Sequence, residues 1–278
     1  MRAPATIALA ALSVTAAQAD EVRVHRVSSE YQRGETAVRV LLPDSFDAAK
    51  RYRVLYVLPV VEHSNDRYGD GLQEIRKLDL HNHYDLICAV PEFSSLPWFA
   101  DHDGDPSMRD ESYFLRAVLP LVESGYPVVE GHEGRLLVGF SKSGWGALSL
   151  LLRHPDVFHR VAGWDVGIRI DTGPIDEVDR AERIARDFGS PENFERYRLS
   201  RLLRERGAEL GEEARIFYYN TGGNRAQGGA MLHDLMVELG IAHRYLYEPK
   251  RRHRWDSGWL AEAVRFVVGG DERLLPLR

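Results

Sequence analysis

Short apolar runs alternate with longer amphipathic stretches along most of the chain. A continuous apolar run is typical of a strand buried on both faces, whereas apolar residues three and four positions apart indicate a helix. The runs that predict strands are 22–27, 37–42, 54–58, 86–90, 135–139, 161–164, 214–219 and 243–247. Strands that alternate with helices are typical of an α/β protein. We therefore predict a mostly parallel central sheet covered by helices on both faces.

The segments between these runs contain the predicted helices. Residues 111–122 carry apolar side chains at helical spacing before Tyr126-Pro127, which predicts a helix crossing between two parallel strands. Further helices are predicted over 146–152, 230–239 and 259–268. Residues 171–213 are highly charged and have helical periodicity only in pieces, with an interruption at Gly189-Ser190-Pro191. We interpret this range as a helical insertion or cap.

The first nineteen residues differ from the rest of the chain. Arg2 precedes an apolar stretch over 7–12, and Ala17-Gln18-Ala19 stands before the charged Asp20. A positive start, a short apolar run and an A-x-A site are typical of a signal peptide, the alternative being a short N-terminal helix of the domain. We predict cleavage after Ala19, a single domain over 20–278, and export to the periplasm or the medium. No later run reaches the roughly 20 apolar residues of a membrane span.

Composition narrows the classes of function. The 278 residues carry a formal net charge of −6, so the chain offers no basic field for a nucleic acid. Its one cysteine, Cys88, lies in an apolar run where a buried structural thiol is expected. Metal-binding patterns such as CxxC, HExxH or an EF-hand loop do not occur in the sequence. We expect no cofactor and no metal.

The strongest local signal for chemistry is the turn around Ser141. A predicted strand ending at Gly139 runs through Phe140-Ser141-Lys142-Ser143 into a predicted helix. A nucleophilic serine at such an elbow needs small residues two positions before and after it, because strand and helix approach very closely. Gly139 satisfies this need, and Ser143 stands where glycine is usual. The alternative interpretation is an ordinary strand-to-helix loop.

A serine hydroxyl needs a base that removes its proton, and in such a sheet the base follows the last strand. His253 lies between the last predicted strand and the last predicted helix. The alternative is a surface histidine in a basic turn. We predict that Ser141 is the nucleophile and His253 its general base.

At these positions the sequence resembles the Putative esterase family of α/β-hydrolases, which includes esterase D, feruloyl esterases and mycolyltransferases. The resemblance rests on residues 139–147, on His253-Arg254-Trp255, and on Glu111-Ser112-Tyr113-Phe114 after Pro97-Trp98-Phe99. It implies an α/β-hydrolase fold and hydrolysis of a small-molecule ester through an acyl-enzyme on Ser141. Two alternatives are an inactive homologue that acts as a binding protein, and an acyltransferase that uses the same residues.

The chain departs from the family pattern at two places. Pro59-Val60 replaces a His-Gly pair in the oxyanion hole, so we expect the backbone amides of Val61 and Lys142 to form that hole. The stretch after the strand 214–219 contains no carboxylate where the family carries its triad acid. We predict Asp165, at the end of the preceding strand, as the acid. Asn224 and Asp256 are the rival assignments.

Polar and aromatic residues after the strand 86–90 are expected at the same edge of the sheet as Ser141. We predict that Trp98, Asp101 and His102 bind substrate. Trp145 and Trp164 are expected to be core aromatics rather than pocket walls.

Overall fold

The structure is a computed structural model that describes residues 22–63, 67–172, 176–222 and 226–269. The predicted signal peptide, 1–19, lies outside these residues. Eight strands form one sheet: β1 Arg23–Ser28, β2 Glu35–Leu41, β3 Arg53–Leu58, β4 Leu86–Pro91, β5 Arg135–Phe140, β6 Arg160–Trp164, β7 Ile216–Asn220 and β8 His243–Tyr247.

The sheet has the order β1-β2-β4-β3-β5-β6-β7-β8. The six strands from β4 to β8 in this order run parallel, whereas β1 and β2 pair antiparallel with each other and β2 pairs antiparallel with β4. The predicted mostly parallel α/β sheet is therefore confirmed. Because parallel strands share a direction, the loops after β3, β5, β6, β7 and β8 emerge at one edge of the sheet.

Helices cover both faces of this sheet. They are α1 Gly71–Lys77, α2 Leu80–His83, α3 Asp110–Tyr113, α4 Leu119–Gly125, α5 Lys142–Arg153, α6 Glu177–Phe188, α7 Pro191–Glu195, α8 Leu199–Arg206, α9 Ala226–Glu238 and α10 Leu260–Val267. A π-helical turn, Phe114–Val118, joins α3 to α4, so the predicted crossover helix is continuous from 110 to 125. None of the helices within the described ranges is long and apolar enough to cross a membrane.

Two hydrophobic cores lie on opposite faces of the sheet. The side chains of β3 point alternately into the two cores. Tyr56 and Leu58 belong to one core, and Leu55 and Val57 belong to the other. This separation follows from the twofold alternation of side chains along a strand. Trp145 and Trp164 are fully buried, as expected of core aromatics, and Cys88 is buried as well.

Two features of the fold differ from the sequence-based expectation. Helices α1 and α2 occupy a segment for which no helix was predicted, and the Asp70 side chain caps α1 by accepting hydrogen bonds from Leu72 N and Gln73 N. Helix α5 begins directly after Ser141, four residues before the predicted start.

The range 171–213 carries α6, α7, α8 and the 3₁₀ turn Gly207–Leu210.

Candidate active site

Ser141 occupies a sharp turn between β5 and α5. Its backbone has φ 55° and ψ −125°, in the region of positive φ that L-residues seldom adopt. Hydrogen bonds fix this turn from both sides, because Ser141 N donates to Trp164 O at 2.9 Å and Gly167 N donates to Ser141 O at 2.8 Å. The serine is therefore held at the carboxyl edge of the sheet in the geometry of a nucleophile elbow.

The residues on either side of Ser141 explain how the turn closes. A Cβ added to Gly139 would lie 2.4 Å from the carbonyl oxygen of Ser143, so no larger residue fits at position 139. Ser143 is completely buried, and its hydroxyl accepts a hydrogen bond from Phe140 N at 3.0 Å and donates one to Phe140 O at 2.9 Å. A serine at the usual glycine position is thus accommodated by bonding to the backbone of the elbow itself.

Asp165 lies directly after β6 and is only 2% exposed. Its backbone N–H donates to Tyr219 O at 3.0 Å, which ties it to the neighbouring strand β7. The two carboxylate oxygens have different partners. Thr221 Oγ1 donates to Oδ1 at 2.7 Å, and His253 Nδ1 is hydrogen-bonded to Oδ2. The structure therefore brings the predicted acid and the predicted base together.

His253 lies on the loop between β8 and α10. Its ring packs against Phe140, the residue before the candidate nucleophile, at a centroid distance of 4.7 Å, and against Tyr68 at 5.5 Å. Trp255 N donates to Tyr68 O at 2.9 Å and holds the two loops together. A carboxylate partner on Nδ1 assigns the proton to that nitrogen and leaves Nε2 as the acceptor that a general base needs.

The rival residue Asp256 is paired with an arginine. The Asp256 carboxylate accepts a hydrogen bond of 2.8 Å from Arg254 Nε, and that bond, together with the charge of Arg254, lowers the pKa of Asp256. Asn224 lies outside the described residues. Asp165 is the carboxylate that contacts His253.

The two predicted oxyanion-hole amides belong to segments next to the elbow. Lys142 is the first residue of α5, so its N–H has no acceptor within the helix and lies at the positive end of the helix dipole. Val61 lies just beyond β3, which pairs with β5 so that Leu58 is opposite Gly139. A Cβ on Gly167 would approach Lys142 N to 3.2 Å, so glycine leaves space beside this amide. The oxyanion-hole role of both amides remains a prediction.

The Lys142 side chain is partly buried beside the elbow. Burial lowers the pKa of its ammonium group, while the negative charges of Asp187 and Glu62 act in the opposite direction. Within the described ranges, the structure contains no group of three or more His, Cys, Asp or Glu side chains that could hold a metal ion.

The three residues predicted to bind substrate lie in two environments. Trp98 is buried, crosses Trp145 of α5 nearly perpendicularly at 5.4 Å, and donates from Nε1 to Asp187 Oδ2 at 2.9 Å. Asp101 and His102 line a separate cavity of about 660 Å³, whose lining includes neither Ser141 nor His253. The structure does not bring Asp101 and His102 into contact with the candidate catalytic residues.

The side chains of Asp101 and His102 are engaged in their own loop. The Asp101 carboxylate accepts hydrogen bonds from the backbone N–H and the hydroxyl of Ser112. His102 Nδ1 accepts from Gly104 N at 3.0 Å and from Asp105 N at 2.9 Å. These bonds account for the polar residues in this stretch, and the substrate-binding role remains a prediction.

Two residues of the site were not predicted from the sequence. Thr221 follows β7, in the stretch where the family pattern has its triad acid. Its hydroxyl donates a hydrogen bond to the carboxylate of Asp165. Tyr68 contacts His253 although the two residues are far apart in the sequence, and no local sequence pattern identifies Tyr68 as part of the site. A polar residue directly after a buried strand was the available signal for Thr221.

One family model and two curated relatives match parts of this chain. A family model described as Putative esterase matches residues 100–164, a range that contains Ser141 and ends one residue before Asp165. Two curated relatives, Esterase MT1326 and Esterase Rv1288 from two strains of Mycobacterium tuberculosis, are each 27% identical over 127 residues. The aligned region covers 42% of this chain and 26% of each relative, so the chain spans about a quarter of their length.

Solved structures with the same fold cover nearly the whole chain. A ferulic acid esterase has a TM-score of 0.71 at 20% identity, over 90% of this chain and 97% of its own. FphF, a fluorophosphonate-binding serine hydrolase of Staphylococcus aureus, has a TM-score of 0.70 at 14% identity, over 89% and 98%. The chain has the α/β-hydrolase fold, and the predicted resemblance to the esterase family is confirmed. The family model and both curated relatives are described as esterases.

Proposed function

We propose that the chain is a serine esterase that hydrolyses carboxylic esters through an acyl-enzyme on Ser141. The observation that carries the proposal is the hydrogen bond between His253 Nδ1 and the buried carboxylate of Asp165. An inactive homologue has no need to keep a histidine that is oriented by a buried carboxylate and packed on Phe140, the residue before the strained Ser141. This contact therefore favours the catalytic alternative over a binding protein.

Each step of the reaction is assigned to a group at the elbow. Ser141 Oγ attacks the ester carbonyl carbon while His253 Nε2 accepts the hydroxyl proton. Asp165 keeps the imidazole oriented and stabilises its positive charge, and Thr221 fixes the other carboxylate oxygen. The backbone N–H groups of Lys142 and Val61 stabilise the oxyanion.

The intermediate collapses as His253 returns the proton to the alcohol oxygen, which leaves and gives an acyl-Ser141 enzyme. A water molecule then attacks the acyl carbon while His253 takes its proton. The bond from the acyl carbon to Ser141 Oγ breaks as His253 returns that proton to Oγ, which releases the acid and regenerates Ser141. An alcohol acceptor in place of water would give the acyltransferase alternative with the same residues.

Turnover of p-nitrophenyl acetate by the protein without residues 1–19 tests the proposal. We expect steady release of p-nitrophenol and a transient mass increase of one acetyl group, on a peptide containing Ser141, after rapid quenching. Ser141→Ala should lose both signals while retaining the thermal unfolding midpoint of the wild type. Folded wild type that neither turns over this ester nor acquires the acetyl group would contradict the proposal.

A second experiment determines whether water or an alcohol accepts the acyl group. Product analysis in the presence of added glycerol or glucose distinguishes hydrolysis from transfer. Free acid as the main product is the result expected of an esterase, and a glycosyl or glyceryl ester as the main product identifies an acyltransferase.

We also propose that the protein is exported after cleavage behind Ala19, on the basis of the apolar segment and the Ala17-Gln18-Ala19 site. The expected product in a Gram-negative host is a periplasmic protein whose N-terminal residue is Asp20. Amino-terminal sequencing of the fractionated protein tests this, and an intact Met1 in the cytoplasmic fraction would contradict it.

A further inference from the structure

The cavity that contains Asp101 and His102 has an unusually charged lining. Its volume is about 660 Å³, within the range of sites that bind small molecules. Six arginines contribute to it, and we call it the arginine cavity: Arg109, Arg116, Arg153, Arg196, Arg201 and Arg206. Four carboxylates also line it, so cationic groups are in excess although the whole chain has a net charge of −6.

Each of the four carboxylates already has a partner. Glu111 illustrates this, because burial would raise its pKa, but the charge of Arg153 and the contacts with His154 lower it to about 2. The pairs are Asp101 with Ser112, Asp103 with Ser190, Glu111 with Arg153 and His154, and Glu205 with Arg201. The two glutamates are therefore in ion pairs with arginines, whereas Asp101 and Asp103 accept hydrogen bonds from neutral serine hydroxyls, which do not offset a negative charge.

Within the part of the chain that the structure describes, three of the six arginines form no ion pair with a carboxylate. Among the described residues, the Arg109 guanidinium has no hydrogen-bond partner, and Arg196 makes one contact of 3.5 Å with the neutral Asn193 side chain. Arg116 is hydrogen-bonded to the Tyr31 side chain. The remaining three form ion pairs with Glu111, Glu205 and Glu209. Three guanidinium groups of the cavity are therefore outside ion pairs, and one of them, Arg116, is also attracted by the charges of Asp101 and Glu111.

A guanidinium group presents parallel N–H donors that match the two oxygens of a carboxylate or a phosphate. We propose that the arginine cavity binds a small anion with two or more carboxylate or phosphate groups, held by Arg109, Arg116 and Arg196. This site is distinct from the esterase site, and the proposal does not depend on that activity. It gives the loop with Asp101 and His102 the role of a cavity wall.

Isothermal titration calorimetry of the wild type with citrate and with pyrophosphate, at low ionic strength, tests the proposal. We expect one binding site that weakens as salt is added, because the contacts are charged and partly open to solvent. Binding of citrate alone would assign a carboxylate ligand, binding of pyrophosphate alone a phosphate ligand, and binding of both a general multivalent-anion site.

Substitutions test whether the anion binds in this cavity rather than elsewhere on the surface. Arg109→Gln and Arg196→Gln should each weaken binding about tenfold, the loss expected for one charge-assisted contact. Arg204→Gln is the matched control, since Arg204 is an exposed arginine of α8 paired with Glu238 and does not line the cavity. No binding of either anion, or binding that the cavity substitutions leave at the level of the Arg204 control, would overturn the proposal.

Discussion

Thr221 Oγ1 donates a hydrogen bond of 2.7 Å to Asp165 Oδ1, the oxygen that does not contact His253. The two residues follow neighbouring parallel strands, Thr221 after β7 and Asp165 after β6. The carboxylate is therefore hydrogen-bonded at both oxygens. Thr221 helps to orient it toward the imidazole without a hydrogen bond to His253 among the described residues.

Thr221→Val tests this relationship because valine keeps the shape of threonine and removes the hydroxyl. We expect kcat for p-nitrophenyl acetate to fall about tenfold, the order of one lost hydrogen bond to a charged group, with KM changed little. Thr172→Val, which removes a hydroxyl bonded to Gly228 O, is the control and should retain kcat. Equal kcat values for the two variants would show that Thr221 does not position the acid.

Asp165→Asn removes the charge that faces His253. In serine proteases the corresponding acid-to-amide change lowers kcat by about 10⁴, and we expect a loss of roughly 10³ to 10⁴ here. Asp256→Asn should remain near the wild type, because Asp256 is paired with Arg254 at the surface. Steady-state kinetics of the two variants measure this, and a larger loss for Asp256→Asn would reverse the assignment of the acid.

Gly139→Ala tests the steric requirement of the elbow. The added methyl group would lie 2.4 Å from Ser143 O, a backbone atom that cannot move without deforming the turn. We expect the free energy of unfolding to fall by about 3 kcal/mol, as for other overpacked sites, when measured by urea titration. Gly125→Ala is the control, since a Cβ there meets no atom within 4 Å. Equal free energies of unfolding for the two variants would show that the elbow accommodates a methyl group at position 139.

Asp110 gives the fold a pH dependence. Burial raises the pKa of this carboxyl to about 7, although hydrogen bonds from Gln32 and Trp98 N favour the charged form. A folded-state pKa above the unfolded value means that protonation stabilises the fold below about pH 4, and that this contribution is lost as pH rises through about 7.

Urea unfolding of the wild type and of Asp110→Asn should be compared between about pH 5 and pH 8, the range around the raised pKa of Asp110. The wild type should lose stability relative to the variant as pH rises, because the amide carries no ionisable proton. Parallel stability curves for the two proteins over this interval would contradict the assignment.

Much of the fold follows from the sequence because buried parallel strands are short, continuous apolar runs. The runs at 54–58, 86–90 and 135–139 lie within β3, β4 and β5. Helices α1 and α2 were not predicted, since each is one to two turns long and offers little periodicity. Their positions depend on packing against the sheet rather than on local pattern.

The candidate site was predictable to the extent that its residues follow strands. Ser141 and Asp165 do so directly, and His253 follows the last strand after a short loop. Tyr68 and the separation of Asp101 from the elbow were not predictable, because both depend on how long loops fold back over the sheet. The roles of Ser143 and Thr221 needed the hydrogen bonds that only the structure provides.

Labelling by a fluorophosphonate probe tests most directly whether Ser141 is a nucleophile activated by His253. We predict that the wild type is labelled at Ser141, that Ser141→Ala and His253→Ala are not labelled, and that Ser124→Ala, which changes an exposed serine of α4, is labelled like the wild type. Folded wild type that takes up no label, or label that persists in Ser141→Ala, would contradict the account.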